Sequence, residues 1–218
     1  ALRSAIDLAA ASDLDLNAAS ELVAISMKTF GLNAEDAAMI ADDFVGAADA
    51  STAEVSDLAQ ALVNVGPTMA QFGYGLEDTN TALAVLSTRG IKGSEAGTAL
   101  KSMMTNLMRP TDAVKETLSA LNVSLYDQQG LLKPLPMIMR DLAAGMAGMT
   151  EEQKNQTIQT LAGTYGMKAM AVLLEEGTVG WEAMDQAIQD AASAEEVGAA
   201  RTEGFNAAME QFRGRSRR

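Results

Sequence analysis

Apolar residues recur at helical spacing along nearly the whole of this chain, yet no stripe runs far before a glycine or proline interrupts it. Val23, Met27 and Phe30 share a face, and Gly31 follows as a stop. Ala37, Ile40, Ala41, Phe44 and Ala48 form the next stripe, with Asn33 as its N-cap. Ser51-Thr52-Ala53-Glu54 reads as a capping box ahead of Val55, Leu58, Ala59 and Leu62, and Gly66-Pro67 is expected to end that helix. Gly73-Tyr74-Gly75 forms a loop before Leu76-Glu77-Asp78, which opens a helix that passes through Val85 and Leu86 to a stop at Gly90.

The second half repeats the pattern. Ala96, Ala99, Leu100, Met103, Met104 and Leu107 make one broad face, and Pro110-Thr111-Asp112 breaks the helix and starts another through Val114, Leu118 and Leu121. Periodicity then fails from Val123 to Gly130, where alternation and a terminal glycine predict a small extended segment and turn near 123–132. Pro134 and Pro136 open a helix lined by Leu135, Ile138, Met139, Leu142 and Met146. Thr150-Glu151-Glu152-Gln153 is a second capping box, leading to Ile158 and Leu161. Gly163-Thr164-Tyr165-Gly166 is a break before Met170, Leu173 and Leu174. Gly177 and Gly180 flank the start of a last long helix with Trp181, Met184 and Ile188. The sum is an all-α, compact multi-helix domain of about ten short helices, each near the usual globular length. Without a sustained heptad run, one long coiled coil is excluded.

The densest punctuation is Gly90-Ile91-Lys92-Gly93-Ser94-Glu95-Ala96-Gly97-Thr98-Ala99-Leu100, a stop, a turn and a new helix in eleven residues. Gly90 supplies a positive-φ C-cap, and Gly97 lets another backbone come close. A phosphate loop is excluded, because the Gly-Lys-Ser/Thr ending is missing and no apolar strand precedes it. Gly31-Leu32-Asn33-Ala34-Glu35-Asp36 and Gly75-Leu76-Glu77-Asp78 echo one another about 44 residues apart. Two copies fit either a helical-hairpin repeat or shared helix-start punctuation.

With 48% hydrophobic but only 4% aromatic residues, the core must be filled by Ala, Leu and the 14 methionines. The 218 residues are enough for one large domain with a sizeable core. The expected division is a helical domain over 1–192 and a loosely packed or frayed helical segment over 193–218, where apolar density falls. The chain starts at Ala1 without a signal-like opening and reads as a piece of something longer. Apolar runs stay short of the roughly 18 residues of a membrane span.

A net charge of −13 argues against direct nucleic-acid binding. The local exception is Arg213, Arg215, Arg217 and Arg218, read as a frayed end ahead of a binding tail. There is no Cys and no His, which removes disulfides, thiolate metal sites and every Ser-His or Cys-His pairing. Asp13-Leu14-Asp15-Leu16-Asn17 opens like a calcium loop, but Ala18 and Ala24 stand where Gly and Glu are needed, so helix capping by Asp15 or Asn17 is the better account. The pairs Asp42-Asp43, Glu151-Glu152 and Glu175-Glu176 point in different directions on a helix and read as solvated faces rather than an acid and base sharing a cleft. Asn122-Val123-Ser124 matches a glycosylation sequon by composition alone. The expectation is a non-enzyme with no catalytic, cofactor-binding or metal-ligating residues and no cofactor.

The run from Leu83 to Lys101, Leu83-Ala84-Val85-Leu86-Ser87-Thr88-Arg89-Gly90-Ile91-Lys92-Gly93-Ser94-Glu95-Ala96-Gly97-Thr98-Ala99-Leu100-Lys101, resembles the core region of phage tail tape measure proteins. So do, in the same order, Asn106-Leu107-Met108-Arg109-Pro110-Thr111, Tyr126-Asp127-Gln128-Gln129-Gly130-Leu131, Met149-Thr150-Glu151-Glu152-Gln153 and Gly163-Thr164-Tyr165-Gly166, followed by Trp181-Glu182-Ala183-Met184. The resemblance covers about residues 74–190 well and 15–73 more loosely, and it is the order of the motifs that makes it specific.

The resemblance implies a virion structural protein of a phage or prophage-derived tail, lying in the tail lumen, and in the host cytoplasm during assembly. It implies a role in templating the tube, setting tail length and leaving ahead of the DNA on infection. The implied partners are the tail tube protein, tail-tip or baseplate proteins and tail assembly chaperones, with self-association through helices and transient contact with the host membrane. A continuous helix of 218 residues would reach roughly 330 Å at 1.5 Å per residue. The interruptions make this segment a folded module instead of the measuring rod. The alternative reading is a membrane-active helical module that assists genome passage through the envelope; a hydrolase using carboxylates stands as a third.

Overall fold

Local chemistry sets several of the helix starts, among them those read from the sequence at Thr150 and Asp15. Thr150 accepts from the Gln153 amide at 3.3 Å while Gln153 accepts from the Thr150 amide at 2.9 Å, the reciprocal box read from the sequence. Thr111 accepts from the Val114 amide at 3.4 Å without a reciprocal bond, and Asp15 accepts from the Ala18 amide at 2.8 Å, which is the capping role preferred over calcium binding. Gly31 ends its helix in the left-handed region, at φ 69.

The computed structural model describes the backbone of residues 1–215 and the side chains of residues 1–204; the arginine cluster at 213–218 falls outside the described side chains. Among the described residues there are ten α-helices. In order these are α1 (Leu2–Ala11), α2 (Leu16–Phe30), α3 (Ala37–Asp49) after a 3-10 turn at Ala34–Asp36, α4 (Val55–Gln71), α5 (Leu76–Thr88) and α6 (Gly93–Met108). There follow α7 (Asp112–Ala120), α8 (Leu135–Gly145), α9 (Glu151–Gln189) and α10 (Ala194–Arg215). The segment expected to be extended holds an isolated antiparallel bridge between Tyr126 and Leu132. The all-α expectation stands.

Several boundaries differ from the sequence reading, and the breaks expected at Gly163–Gly166 and Gly177 are bends within one helix of 39 residues, α9. The box placed at Ser51 lies three residues further on, where the Glu54 amide donates to Asp57; Ser51 instead donates to the Ala47 carbonyl at the end of α3. Pro67 does not end α4, which continues to Gln71. The loss of one amide donor there is offset because Val65 and Met69 continue the buried stripe on both sides of the proline.

The echo between Gly31 and Gly75 is punctuation: the Asn33 amide donates to Asp36 at 2.7 Å, and the Gly75 amide to Asp78 at 3.2 Å, each closing a first turn. Asn122 of the sequon is the left-handed residue, at φ 55, that ends α7, with the Val123 amide donating to the Leu118 carbonyl.

At the centre, α6 lies between α4 and α9, and α5 packs on α3, α4 and α9. Phe44, Leu62, Met69, Leu83, Leu100, Met103, Met104 and Leu107 are fully buried, so methionine does much of the filling in a core poor in aromatics. α7 and α8 pack on α9, while α1, α2 and α3 contact one another. α10 runs parallel to α1: Arg3 pairs with Glu195 at 2.5 Å, Gly198 lies against Asp7 and Ala10, and Arg201 donates to the Ser12 carbonyl at 3.2 Å. Among the described residues, no helix is long and apolar enough to cross a membrane.

Candidate functional site

The Gly90–Leu100 segment builds a junction of three helices. Gly90, at φ 81, ends α5 with a Schellman pair: its own amide donates to Ser87 at 2.9 Å and the Ile91 amide to Leu86 at 3.1 Å. α6 then starts at Gly93. One turn in, Gly97 faces α4 so closely that a Cβ on it would stand 2.8 Å from the Ala61 α carbon. On the other side of α6, a Cβ on Gly166 of α9 would stand 2.6 Å from the Met103 amide nitrogen. Two glycines therefore clamp one helix between two others at backbone contact. Gly97 was expected in this role; Gly166 was expected only to break a helix.

The break itself is at Gly163, where φ 70 and ψ 170 leave the helical region and bend α9. A bend releases a carbonyl from its intrahelical bond, and a buried carbonyl without a partner is costly. Asn106 of α6 is the nearer partner, and the Ser102 hydroxyl donates to the same carbonyl at 3.4 Å. Asn106 Nδ2 donates to the Ala162 carbonyl at 3.0 Å and to the Ser102 carbonyl at 2.9 Å. The Asn106 amide also fills the elbow, 2.7 Å from where a Gly163 Cβ would be. Asn106 belongs to the Asn106–Thr111 motif, but periodicity marks it only as a polar residue in a helix.

The three carboxylate pairs have separate fates. Glu151 lies in the first turn of α9 and pairs with Lys154 at 2.8 Å. Glu175 and Glu176 both hold the guanidinium of Arg89, the residue that follows α5, at 3.1 and 2.8 Å. Asp42 accepts from the Ala194 amide at 2.7 Å and so caps α10. Asp43 overturns the solvated reading: it is only 7% exposed and accepts from Asn80 Nδ2 at 2.6 Å. Burial first, then the nearby Glu77 and Asp185, push its carboxyl from the ordinary 3.8 up to about 7, against a lowering by the Asn80 bond. The sequence held little signal of this, because Asp43 lies about 120° round the helix from Ala37, and α3 is buried over a face wider than the predicted stripe.

Asp43 opens onto a cleft of about 370 Å³ lined also by Met39, Asp42, Glu77, Asp185, Ile188 and Glu196. Among the described residues, no group of three or more acidic residues is placed to hold a metal ion. These carboxylates serve as caps, ion-pair partners and a buried hydrogen bond. That chemistry joins helices.

Comparison with known proteins gives concordant results. The profile of the family described as "Phage-related minor tail protein" matches residues 1–163. The chain is 37% identical over 188 residues to the "Tape measure protein" of Pneumococcus phage Dp-1, an alignment covering 86% of this chain and 16% of that protein. It is 25% identical over 153 residues to the "Probable tape measure protein" of Escherichia phage P2, covering 69% of this chain and 19% of that protein. The chain thus spans less than a fifth of either relative. No solved structure matches.

Proposed function

The chain belongs to the phage-related minor tail protein family, within its tape measure proteins, and from that premise we propose that it is a compact folded module carried on a tape measure polypeptide. Its role is structural and tied to the phage tail. In the tail lumen the module offers helix surfaces to the tube protein and the tail tip during assembly, and it leaves with the rest of the polypeptide on infection. Tail assembly chaperones are the partners that hold it in the host cytoplasm before the tube closes. Of the three adjacent carboxylate pairs, Asp42, Glu175 and Glu176 join helices through a cap and ion pairs, which supports a scaffold in preference to a catalyst.

The observation that carries the folded-module reading is the double glycine clamp of Gly97 on Ala61 and Gly166 on Met103. Backbones held this close across three helices describe a packed unit, and a packed unit adds little axial length. Solution scattering on the 218-residue chain tests this: a compact fold has a radius of gyration of roughly 17 Å. A rod-like profile with a maximum dimension approaching the ~330 Å of a continuous helix overturns it. In a phage, in-frame deletion of the segment should shorten the tail by much less than that helical length. Loss of the full ~330 Å would assign the segment to the ruler itself.

A further inference from the structure

The two bends of α9 are built differently. The elbow at Gly163 is filled by Asn106, whereas at Gly177 (φ 61, ψ −161) nothing lies within 4 Å of where a Cβ would stand. On the near side of Gly177 the helix is clamped, with Glu175 and Glu176 both on Arg89. On the far side, residues 178–189 make no ion pair among the described residues. This stretch rests on the body through Trp181 and Ile188, both 7% exposed, with the half-buried Met184 between them. The Ile188 carbonyl lies 2.5 Å from where a Gly46 Cβ would be on α3. Between those two contacts, Asp185 stands over an acidic seam, 3.5 Å from the Thr81 hydroxyl of α5.

The seam contains a fault in its hydrogen bonding. Asn80 is wholly buried and gives its Nδ2 to Asp43, but its Oδ1 has no partner. A buried amide oxygen left unpaired is unfavourable. A neutral Asp43 corrects this, because its O–H can donate to Asn80 Oδ1 while its other oxygen accepts from Nδ2, closing an acid–amide ring. An ionised Asp43 cannot donate, and it adds a charge facing others of the same sign. Those facing it are Asp42 on its own helix, Glu77 on α5, Asp185 on α9 and Glu196 on α10; Asp78 of α5 also faces Asp185. None of the residues lining the cleft is a Lys or Arg, and α1, α2 and α4 contribute no residue to it.

We propose that residues 178–189 form a proton-gated strap: hinged at Gly177, it lies shut over α3 and α5 while the Asp43 carboxyl carries a proton, and it lifts when that proton leaves through the cleft to solvent. The far end stays tethered by the Asp42 cap on Ala194, so the strap opens while α10 keeps its place. The raised affinity of Asp43 for its proton, with half-ionisation at about 7, puts the gate near neutrality.

Trp181 is the sole tryptophan of the chain and lies on the strap, so its fluorescence reports the strap directly. In the 218-residue chain, raising the pH from about 5 to about 9 should shift Trp181 emission to the red, with helix content by circular dichroism unchanged. Amide exchange, corrected for its intrinsic pH dependence, should reveal opening of 178–189 increased roughly ten- to hundredfold while 164–176 stays protected. Asp43→Asn keeps the ring with a permanently neutral amide and should abolish the shift. Asp185→Asn removes one facing charge and should shrink it. Flat wild-type emission across that range, or an Asp43→Asn chain that titrates like the wild type, overturns the proposal. If Asp43→Asn fails to fold, an Asp185→Asn shift equal to that of the wild type overturns it instead.

Discussion

A Cβ added to Gly97 would stand 2.8 Å from the Ala61 α carbon and 3.0 Å from its carbonyl carbon, so α4 and α6 meet backbone to backbone with no gap for a methyl group. The obstruction is main chain and cannot rotate aside. Gly97→Ala should therefore destabilise the chain by about 1–3 kcal/mol despite the better helix propensity of alanine. Gly97→Leu should do so by more. Thermal or urea denaturation measures both, and an unchanged midpoint for the leucine variant would show that the two helices do not meet there.

Asn106 donates one amide group to two carbonyls, one of them released by the bend at Gly163. Asn106→Ala should cost about 1 kcal/mol, the net worth of a hydrogen bond, because the Ser102 hydroxyl still donates to the Ala162 carbonyl at 3.4 Å. Amide exchange should locate the effect in residues 160–168. Loss spread evenly over the chain would mean that the bend is held by something else.

The reciprocal bonds between Thr150 and Gln153 start α9, the longest helix. Thr150→Ala should cost about 1 kcal/mol, and Thr150→Ser should recover most of it. Matched urea midpoints of the two variants would remove the cap from the account of how α9 begins.

The pH dependence of stability has a sign fixed by Asp43. Its native carboxyl holds a proton up to about 7 where the unfolded chain releases it near 3.8. The native state therefore binds more protons across that window. The contribution is fully present below about 3.8 and is lost as pH rises through about 7. Asp141, held low mainly by its hydrogen bond to Lys133, acts in the opposite sense, and its contribution disappears as pH falls through its depressed value. That loss lies below 3.8, outside the range near neutrality over which Asp43 acts. Urea midpoints should fall from about pH 5 to about pH 8, and Asp43→Asn should flatten the fall. A wild-type midpoint that rises over this range contradicts the assignment.

What could be read in the sequence was what lies within one helical turn. Thr150 with Gln153, Thr111 with Val114, and the glycines at 31 and 90 act on neighbours three to five residues away, so their chemistry is written in adjacent letters. Gly97 was recognised because a glycine within a helical stripe has few other uses. Pro67 was misjudged because its local cost is real and the burial of Met69 that offsets it depends on helices far along the chain. Asn80 and Asn106 were missed for the same reason: their partners are 37 and 56 residues away. Asp43 was assigned to solvent because it is charged and lies to one side of the predicted stripe, whereas neighbouring helices bury α3 over a wider face that takes in Val45, Gly46 and Ala47.

The parallel alignment of α1 with α10 governs how this module answers to force. A pull backward on the first residues and forward on the last would slide the two helices along one another, from Arg3 beside Glu195 to Ser12 beside Arg201. In that shear geometry all the contacts resist at once, where an antiparallel pair drawn apart at one end would peel contact by contact. Under tension applied at its two ends, the α1–α10 fastening is thus the one suited to give way last.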